Sequence, residues 1–344
     1  MFNRLIDEVI ETSMKWRIVG TPLGEESSSV EIWKRALISV CCTVAVLACA
    51  PADAKRLELS EKAAFTLPEY FDVSGGAIAP TGALLLWSRR RTELLIIDEQ
   101  GSQRVVDVGS NEAPLAAAFV DNGVHLEVLF VPSGRVVRTD FSGHIIAERL
   151  LGQWLDSMVV NSAARTNVGW VTAGQDMAGN LVVAREAGVR SPQILKYLAF
   201  ADYAGTLPDT FARLAADLVA WQDKAIASLW WPPFESYIVG EAKGSTMRLR
   251  PRPSARSSDT DSSNSLLIAR MALPIERGFL QVLVDLKSDW RELVLFDDKG
   301  AELRRASINV AMGYVASAPA RRELLAVRRG NQVEAVVYQW RWRR

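Results

Sequence analysis

Three observations predict an all-β fold, a six-bladed β-propeller behind an N-terminal export signal. An apolar strand running into an acidic turn that closes on glycine occurs as Glu93-Leu-Leu-Ile-Ile-Asp98-Glu-Gln-Gly101, Arg135-Val-Val-Arg-Thr-Asp140-Phe-Ser-Gly143 and Arg291-Glu-Leu-Val-Leu-Phe-Asp297-Asp-Lys-Gly300. An Asp that caps its own turn and a Gly that accepts a positive φ are what a tight hairpin demands, so each copy marks one hairpin. From Glu69 onward the chain breaks into short strands separated by turn residues, and a hairpin recurring every ~40 to 50 residues is the signature of propeller blades. Ahead of these units, Leu57 to Leu67 supplies a spare strand that can close a ring.

In chain order, the first 33 residues form an N-terminal extension in which Phe2, Leu5, Ile6, Val9 and Ile10 stand at helical spacing. Either this is a short amphipathic cytoplasmic helix or translation starts downstream, Met14 being the other methionine before the signal. Residues 34–54 read as a bacterial export signal: the basic pair Lys34-Arg35, an apolar run from Ala36 to Ala50, then small residues. The run is shorter than the ~20 residues a transmembrane helix prefers. Val46-Leu47-Ala48-Cys49 resembles a lipobox, which would make Cys49 a lipidated N-terminus, while Ala52-Asp-Ala54 fits ordinary cleavage; an uncleaved anchor is the third route. All three cysteines, Cys41, Cys42 and Cys49, fall inside the signal, so residues 55–344 carry neither a disulfide nor thiol chemistry.

Residues 55–344 divide into six units. The first spans about Tyr70 to Gly109, with Leu84-Leu-Leu-Trp87 read as an inner strand; the second spans Pro114 to Leu151, and the third Leu155 to Phe200. The fourth, Phe211 to Pro253, begins where Phe211, Leu214, Ala215, Leu218 and Val219 also fit a helix, but a strand near Ala216 to Trp221 agrees better with the turn and strand that follow. Residues 254–265, rich in Ser and Asp, read as a mobile loop. The fifth unit runs from Leu266 to Ile308 and the last from Val310 to Trp342, where Trp340 and Trp342 share one face and Arg341 and Arg343 the other.

The runs Gly278-Phe-Leu-Gln-Val-Leu-Val-Asp285, Leu293-Val-Leu-Phe-Asp297-Asp-Lys-Gly300, Arg322-Glu-Leu-Leu-Ala-Val-Arg328 and Val336-Val-Tyr-Gln-Trp340 resemble the closing blades of bacterial exported six-bladed β-propellers of the TolB-like and NHL-like kind. The resemblance covers about Glu69 to the C-terminus. It implies the fold and no single activity, since related propellers serve as binding platforms, sensors, lactonases and lyases.

Charge and motifs narrow the function classes. Forty basic against forty acidic residues give no global field toward nucleic acid. Only His125 and His144 are present, one at a strand start and one in a turn, too few for a histidine-rich metal centre. A Gly-x-Ser-x-Gly elbow and phosphate-cradling glycine loops are missing. One carboxylate per Asp-x-x-Gly turn falls short of the six to eight oxygens calcium takes, so these turns read as hairpin caps; calcium held by carboxylates grouped in space is the one ion left open. The ligand-binding candidates are Trp230, Trp231 and Phe234 in Trp230-Trp-Pro-Pro-Phe234, where a stiff turn offers one of two alternating tryptophans outward. The opposing reading packs all three between blades. Arginine clusters at Arg89-Arg-Arg91, Arg248 to Arg252, Arg304-Arg305, Arg321-Arg322, Arg328-Arg329 and Arg341 to Arg344 read as solvated edges, or as an anion-binding face if several meet.

The sequence thus predicts an exported propeller in the periplasm or at the cell surface, lipid-anchored through Cys49. It needs no cofactor and binds an envelope protein, peptide or small ligand without catalysis, and it touches the membrane through its anchor only. Two alternatives stay open: a calcium-dependent propeller hydrolase or lyase, and a structural envelope protein.

Overall fold

A computed structural model describes residues 56–187, 192–203, 214–231, 234–240, 247–252, 267–285, 291–308 and 312–343. The extension at 1–33, the signal at 34–54 with Cys49 and the loop at 254–265 lie outside the described residues.

The strands form six four-stranded antiparallel sheets in chain order. After β1 (Arg56–Thr66), blade 1 holds β2 (Gly75–Ile78), β3 (Leu84–Trp87), β4 (Glu93–Ile97) and β5 (Gln103–Asp107), and blade 2 holds β6 (Pro114–Val120), β7 (His125–Phe130), β8 (Arg135–Thr139) and β9 (Ile145–Leu150). Blade 3 comprises β10 (Val159–Thr166), β11 (Gly169–Gln175), β12 (Leu181–Arg185) and β13 (Gln193–Leu198). Blade 4 comprises β14 (Ala216–Trp221), β15 (Lys224–Leu229), β16 (Ser236–Val239) and β17 (Met247–Leu249). Blade 5 has β18 (Leu267–Ile275), β19 (Gly278–Asp285), β20 (Arg291–Phe296) and β21 (Glu302–Ile308), and blade 6 has β22 (Met312–Ala318), β23 (Glu323–Arg329) and β24 (Val333–Arg343), with β1 as its fourth strand. The first strands of successive blades neighbour one another, and β22 of the last blade returns to β2 of the first, so six inner strands ring a central axis. Leu84–Trp87, expected as an inner strand, is instead the second strand of its blade; the inner position belongs to Gly75–Ile78, whose two glycines hide it from an apolar-run search.

The Asp-x-x-Gly turns form as expected. Asp98, Asp140 and Asp297 each accept two backbone N–H groups on Oδ1, and Gly101, Gly143 and Gly300 take φ values of 88°, 91° and 84°. At Gly143 the requirement is doubled, since a Cβ there would stand 2.4 Å from the Asp107 carbonyl oxygen. All three join the third strand of a blade to its fourth. A further copy, Asp176 to Gly179, sits between the second and third strands of blade 3 with the same bonds and φ 81° at Gly179.

The core consists of six apolar seams, one between each pair of neighbouring blades. Strand β24 shows why each blade reads as a nearly continuous apolar run. Its residues alternate, so Val336, Tyr338 and Trp340 enter the seam with blade 5 while Ala335 and Val337 enter the seam with blade 1. Strand β23 repeats the pattern, with Leu324 and Ala326 on one side and Leu325 and Val327 on the other.

Ring closure rests on β1. It pairs with β24 from Leu57↔Trp342 to Thr66↔Glu334, and the chain that follows it places Leu67, Phe71 and Val73 in the seam between blades 6 and 1. An ionic clasp reaches past β24, from β1 to β23. Lys62 Nζ on β1 donates to Glu323 Oε1 on β23 at 2.6 Å, and Arg321 Nε donates to Oε2 at 2.9 Å. Burial raises the Glu323 pKa, but hydrogen bonds from Arg321 and Lys62 outweigh it and hold the carboxyl below its usual value.

Trp340 is fully buried in the seam between blades 5 and 6, so Trp340→Ala is expected to cost ~3–5 kcal/mol in urea denaturation. A folded pKa below the unfolded one makes the Glu323 contribution fully present above the unfolded value, ~4.3, and lost as pH falls through the folded value. Glu323→Gln should therefore lower the midpoint of unfolding at neutral pH and converge with the parent below about pH 4; a gap that persists in acid would exclude this origin.

Candidate functional site at the channel mouth

Antiparallel blades bring the starts of the inner strands, the connections between second and third strands and the ends of the fourth strands to one end of the ring. At this end the inner strands are irregular. The register slips between Pro114 and Ala116, Val160 and Ser162, Ala269 and Ala272, and Tyr314 and Ala316. A bulge bends its strand and re-aims the side chain it displaces. Asn161 and Arg270 are two such displaced residues.

Backbone groups around these irregular starts are stitched from blade to blade. Trp87 Nε1 donates to the Leu115 carbonyl at 3.1 Å, Gln175 Nε2 to the Leu214 carbonyl at 2.6 Å, and Ala269 N to the Trp230 carbonyl at 2.8 Å. In the first two pairs the last residue of a second strand secures the start of the next blade, which fixes the mouth as a rigid frame.

Across this frame reaches Arg89, from the connection between β3 and β4. Its backbone N–H is held by Ser74 Oγ at 3.0 Å, and its Nη2 donates to the Asn161 carbonyl of blade 3 at 2.7 Å. Its neighbours are occupied, Arg90 by Asp72 and Arg91 by the ring and carbonyl of Tyr70. Arg89 has no carboxylate within ion-pairing distance among the described residues. Surrounding protein desolvates the guanidinium and lowers its pKa from the usual value; Asp217 of blade 4 opposes that shift and Arg270 of blade 5 adds to it. The side chain is nonetheless open to water.

Asp217 is 5% exposed, and its Oδ2 lies 3.0 Å from Arg270 Nε, an ion pair whose angle leaves that oxygen without a hydrogen-bond donor. The Arg270 guanidinium also stands over the Trp230 ring, 5.5 Å from its centroid. Asn161 Nδ2 and Oδ1 and Trp230 Nε1 are shielded and unpartnered. Four blades thus bring two cations, one anion and the Asn161 backbone carbonyl to one end of the ring, an arrangement able to hold a polar ligand. Among the described residues no three His, Cys, Asp or Glu side chains group as a metal site.

The three aromatic candidates follow the second strand of blade 4, not an inner strand. Trp231 is 5% exposed and lies in the seam of blades 5 and 6, so it offers little surface to a ligand. Phe234 is half-buried against the seam of blades 4 and 5, with φ 58°, and its carbonyl accepts Gln281 Nε2 at 2.8 Å. Trp230, half-buried, is the one that meets the mouth cluster through Arg270. Asn161, Asp217 and Arg270 carried no local signal, and Arg89 stood only as one member of a basic triplet. The other arginine clusters are largely paired: Arg248 and Arg250 with buried Glu235, Arg305 with Glu292 and Glu302, Arg321 with Glu323, Arg322 with Glu276, Arg328 with Glu61 and Glu334, and Arg329 with Asp72. His125 pairs with Asp121 at 2.7 Å, and the His144 N–H caps onto Asp140.

Neither a protein-family model nor a curated relative matches this sequence. Among solved structures, the chain is similar to a member of the DUF4221 family from Bacteroides vulgatus over 84% of this chain and 99% of the other, with TM-score 0.55 at 7% identity. It is similar to the PQQ-bound aldose sugar dehydrogenase from Streptomyces coelicolor over 84% and 100%, with TM-score 0.54 at 12% identity. At such identities the likeness shows the fold alone.

The burial of Trp231 has a measurable consequence. Trp231→Ala is expected to lose ~3–5 kcal/mol of stability in chemical denaturation, as buried aromatics do; an unchanged midpoint would return this ring to the surface.

Proposed function

We propose that the propeller is a binding platform without catalysis of its own, exported and lipid-anchored through Cys49, which receives a small ligand or a peptide segment at the channel mouth. The observation that carries this reading is the convergence of Arg89, Asn161, Asp217 and Arg270 from blades 1, 3, 4 and 5 at one end of the ring, where the Arg89 guanidinium is exposed and has no carboxylate within ion-pairing distance among the described residues. A platform reading is also favoured by exposed apolar residues at the same end of blade 3. Val159 opens β10, Met177 lies in the turn after β11, and Tyr197 stands next to the end of β13; they are 59%, 94% and 52% exposed. Such a surface suits contact with a partner beside the mouth. Export and anchoring rest on the pattern of residues 34–54.

A thermal-shift screen of the full chain against small polar metabolites and short peptides tests the platform. Ligands are expected whose stabilisation disappears in Arg270→Ala; stabilisation that survives substitution at Arg270 and at Asn161 alike would move the site away from the mouth. Cys49→Ser should shift the chain from the membrane to the soluble fraction and abolish labelling by a fatty-acid probe, and retention at the membrane would remove the lipid anchor from the proposal.

A further inference from the structure

We propose that the channel mouth opens away from the membrane that holds the anchor, and that the foot of blade 6, at the other end of the ring, is the surface set against anionic lipid headgroups. This rests on the lipid anchor proposed above and adds its geometry. β1 is the fourth strand of blade 6, so it ends at the mouth and starts at the opposite end, where Arg56 pairs with Arg343. Six residues separate Cys49 from Arg56. Fully extended at ~3.3–3.6 Å per residue, that stretch lets Arg56 stand no more than about 25 Å from Cys49. β1 itself has 11 residues, and at ~3.3 Å per residue it carries the chain about 33 Å from the foot to the mouth. A tether shorter than the strand cannot bring the mouth against the bilayer with the foot turned outward.

Two orientations remain, a ring standing on its foot and a ring lying on the outer edge of blade 6, and the residues along β1 and β24 choose between them. At the foot, Arg56 stands opposite Arg343, and Arg341, which is exposed, stands opposite Glu58. Further along the outer edge come Ser60, Glu61 and Lys62, all exposed, and at the mouth Thr66 stands opposite Glu334. Arginines thus gather where the tether meets the fold. Anionic headgroups attract that end of the strand pair, at close range and within a Debye length. Lying on edge would instead set Ser60, Glu61 and Lys62 against the bilayer, a stretch with no large apolar side chain for lipid to bury.

Residues 55–344 carry no cysteine, so one introduced thiol reports one place. Blade 3 stands across the ring from blade 6. On it, Val168 lies at the foot in the turn after β10, and Met177 lies at the mouth end in the turn after β11; both are exposed. The full chain with Val168→Cys or Met177→Cys, lipidated in cells and placed in vesicles of phosphatidylethanolamine and phosphatidylglycerol, is labelled with a donor dye, and energy transfer to a headgroup acceptor is measured. Transfer from position 168 is expected to exceed that from position 177 at least twofold, and the ratio should fall in vesicles of phosphatidylcholine alone. Equal transfer, the result of a ring lying on edge, or stronger transfer from position 177 would overturn the orientation while leaving the anchor standing. A ratio indifferent to lipid charge would overturn the headgroup contact. The parent chain should take up no dye, because Cys49 is lipidated and Cys41 and Cys42 leave with the signal. Dye uptake by the parent, or absence of a fatty-acid label on it, defeats the anchor and the orientation together.

Discussion

Everything in this molecule depends on the fact that a four-stranded blade has two apolar faces and no means of covering either alone. Six seams cover twelve faces only when the last blade meets the first, and that meeting is made by a strand from the opposite end of the sequence. The pairing of β1 with β24 is therefore a condition on the other five seams as well as on its own. The clasp adds an ionic contact to it, a buried Glu323 carboxylate held by Lys62 from β1 and by Arg321 from the turn before β23.

The same closure makes the mouth. Residues 89, 161, 217 and 270 lie on separate blades, and each is held by its own local device: a seryl cap on the Arg89 backbone, bulges at Asn161 and Arg270, an ordinary strand position at Asp217. None of these devices refers to a ligand. Their meeting is a property of the ring, and the stitches from Trp87, Gln175 and Trp230 to the following blades keep its radius fixed at that end. A rigid frame with a solvent-facing arginine across it favours a ligand that fits without rearranging the scaffold.

How much of this was legible follows from the range of each signal. The Asp-x-x-Gly turns are four-residue chemistry, and the three copies at Asp98, Asp140 and Asp297 were read correctly because the backbone geometry is decided within the turn itself. The spare strand before the first unit was legible because Leu57, Leu59 and their neighbours had no partner nearer in sequence. Strand β2 was misplaced because Gly75 and Gly76 pack against Trp87 and Leu325 without side chains to announce a strand. The aromatic pair was harder still. Trp230 and Trp231 lie past the end of β15 and both pack against the seam of blades 5 and 6, formed by residues after the turn, so strand alternation does not decide where either ring goes. The mouth cluster had no signature at all, since bulges are set by the neighbouring strand.

The pairing of β1 with β24 also orders events in time. A ribosome releases β1 first and its partner last, so the first strand waits through synthesis of the whole ring with an unpaired edge. Contacts this distant in sequence are slow to form, and a chain interrupted anywhere before β24 keeps its edges open and its last seam wet. Completion of the ring thus waits on its last strand: a copy shortened before β24 leaves the edge of β1 unpaired and the closing seam unfilled.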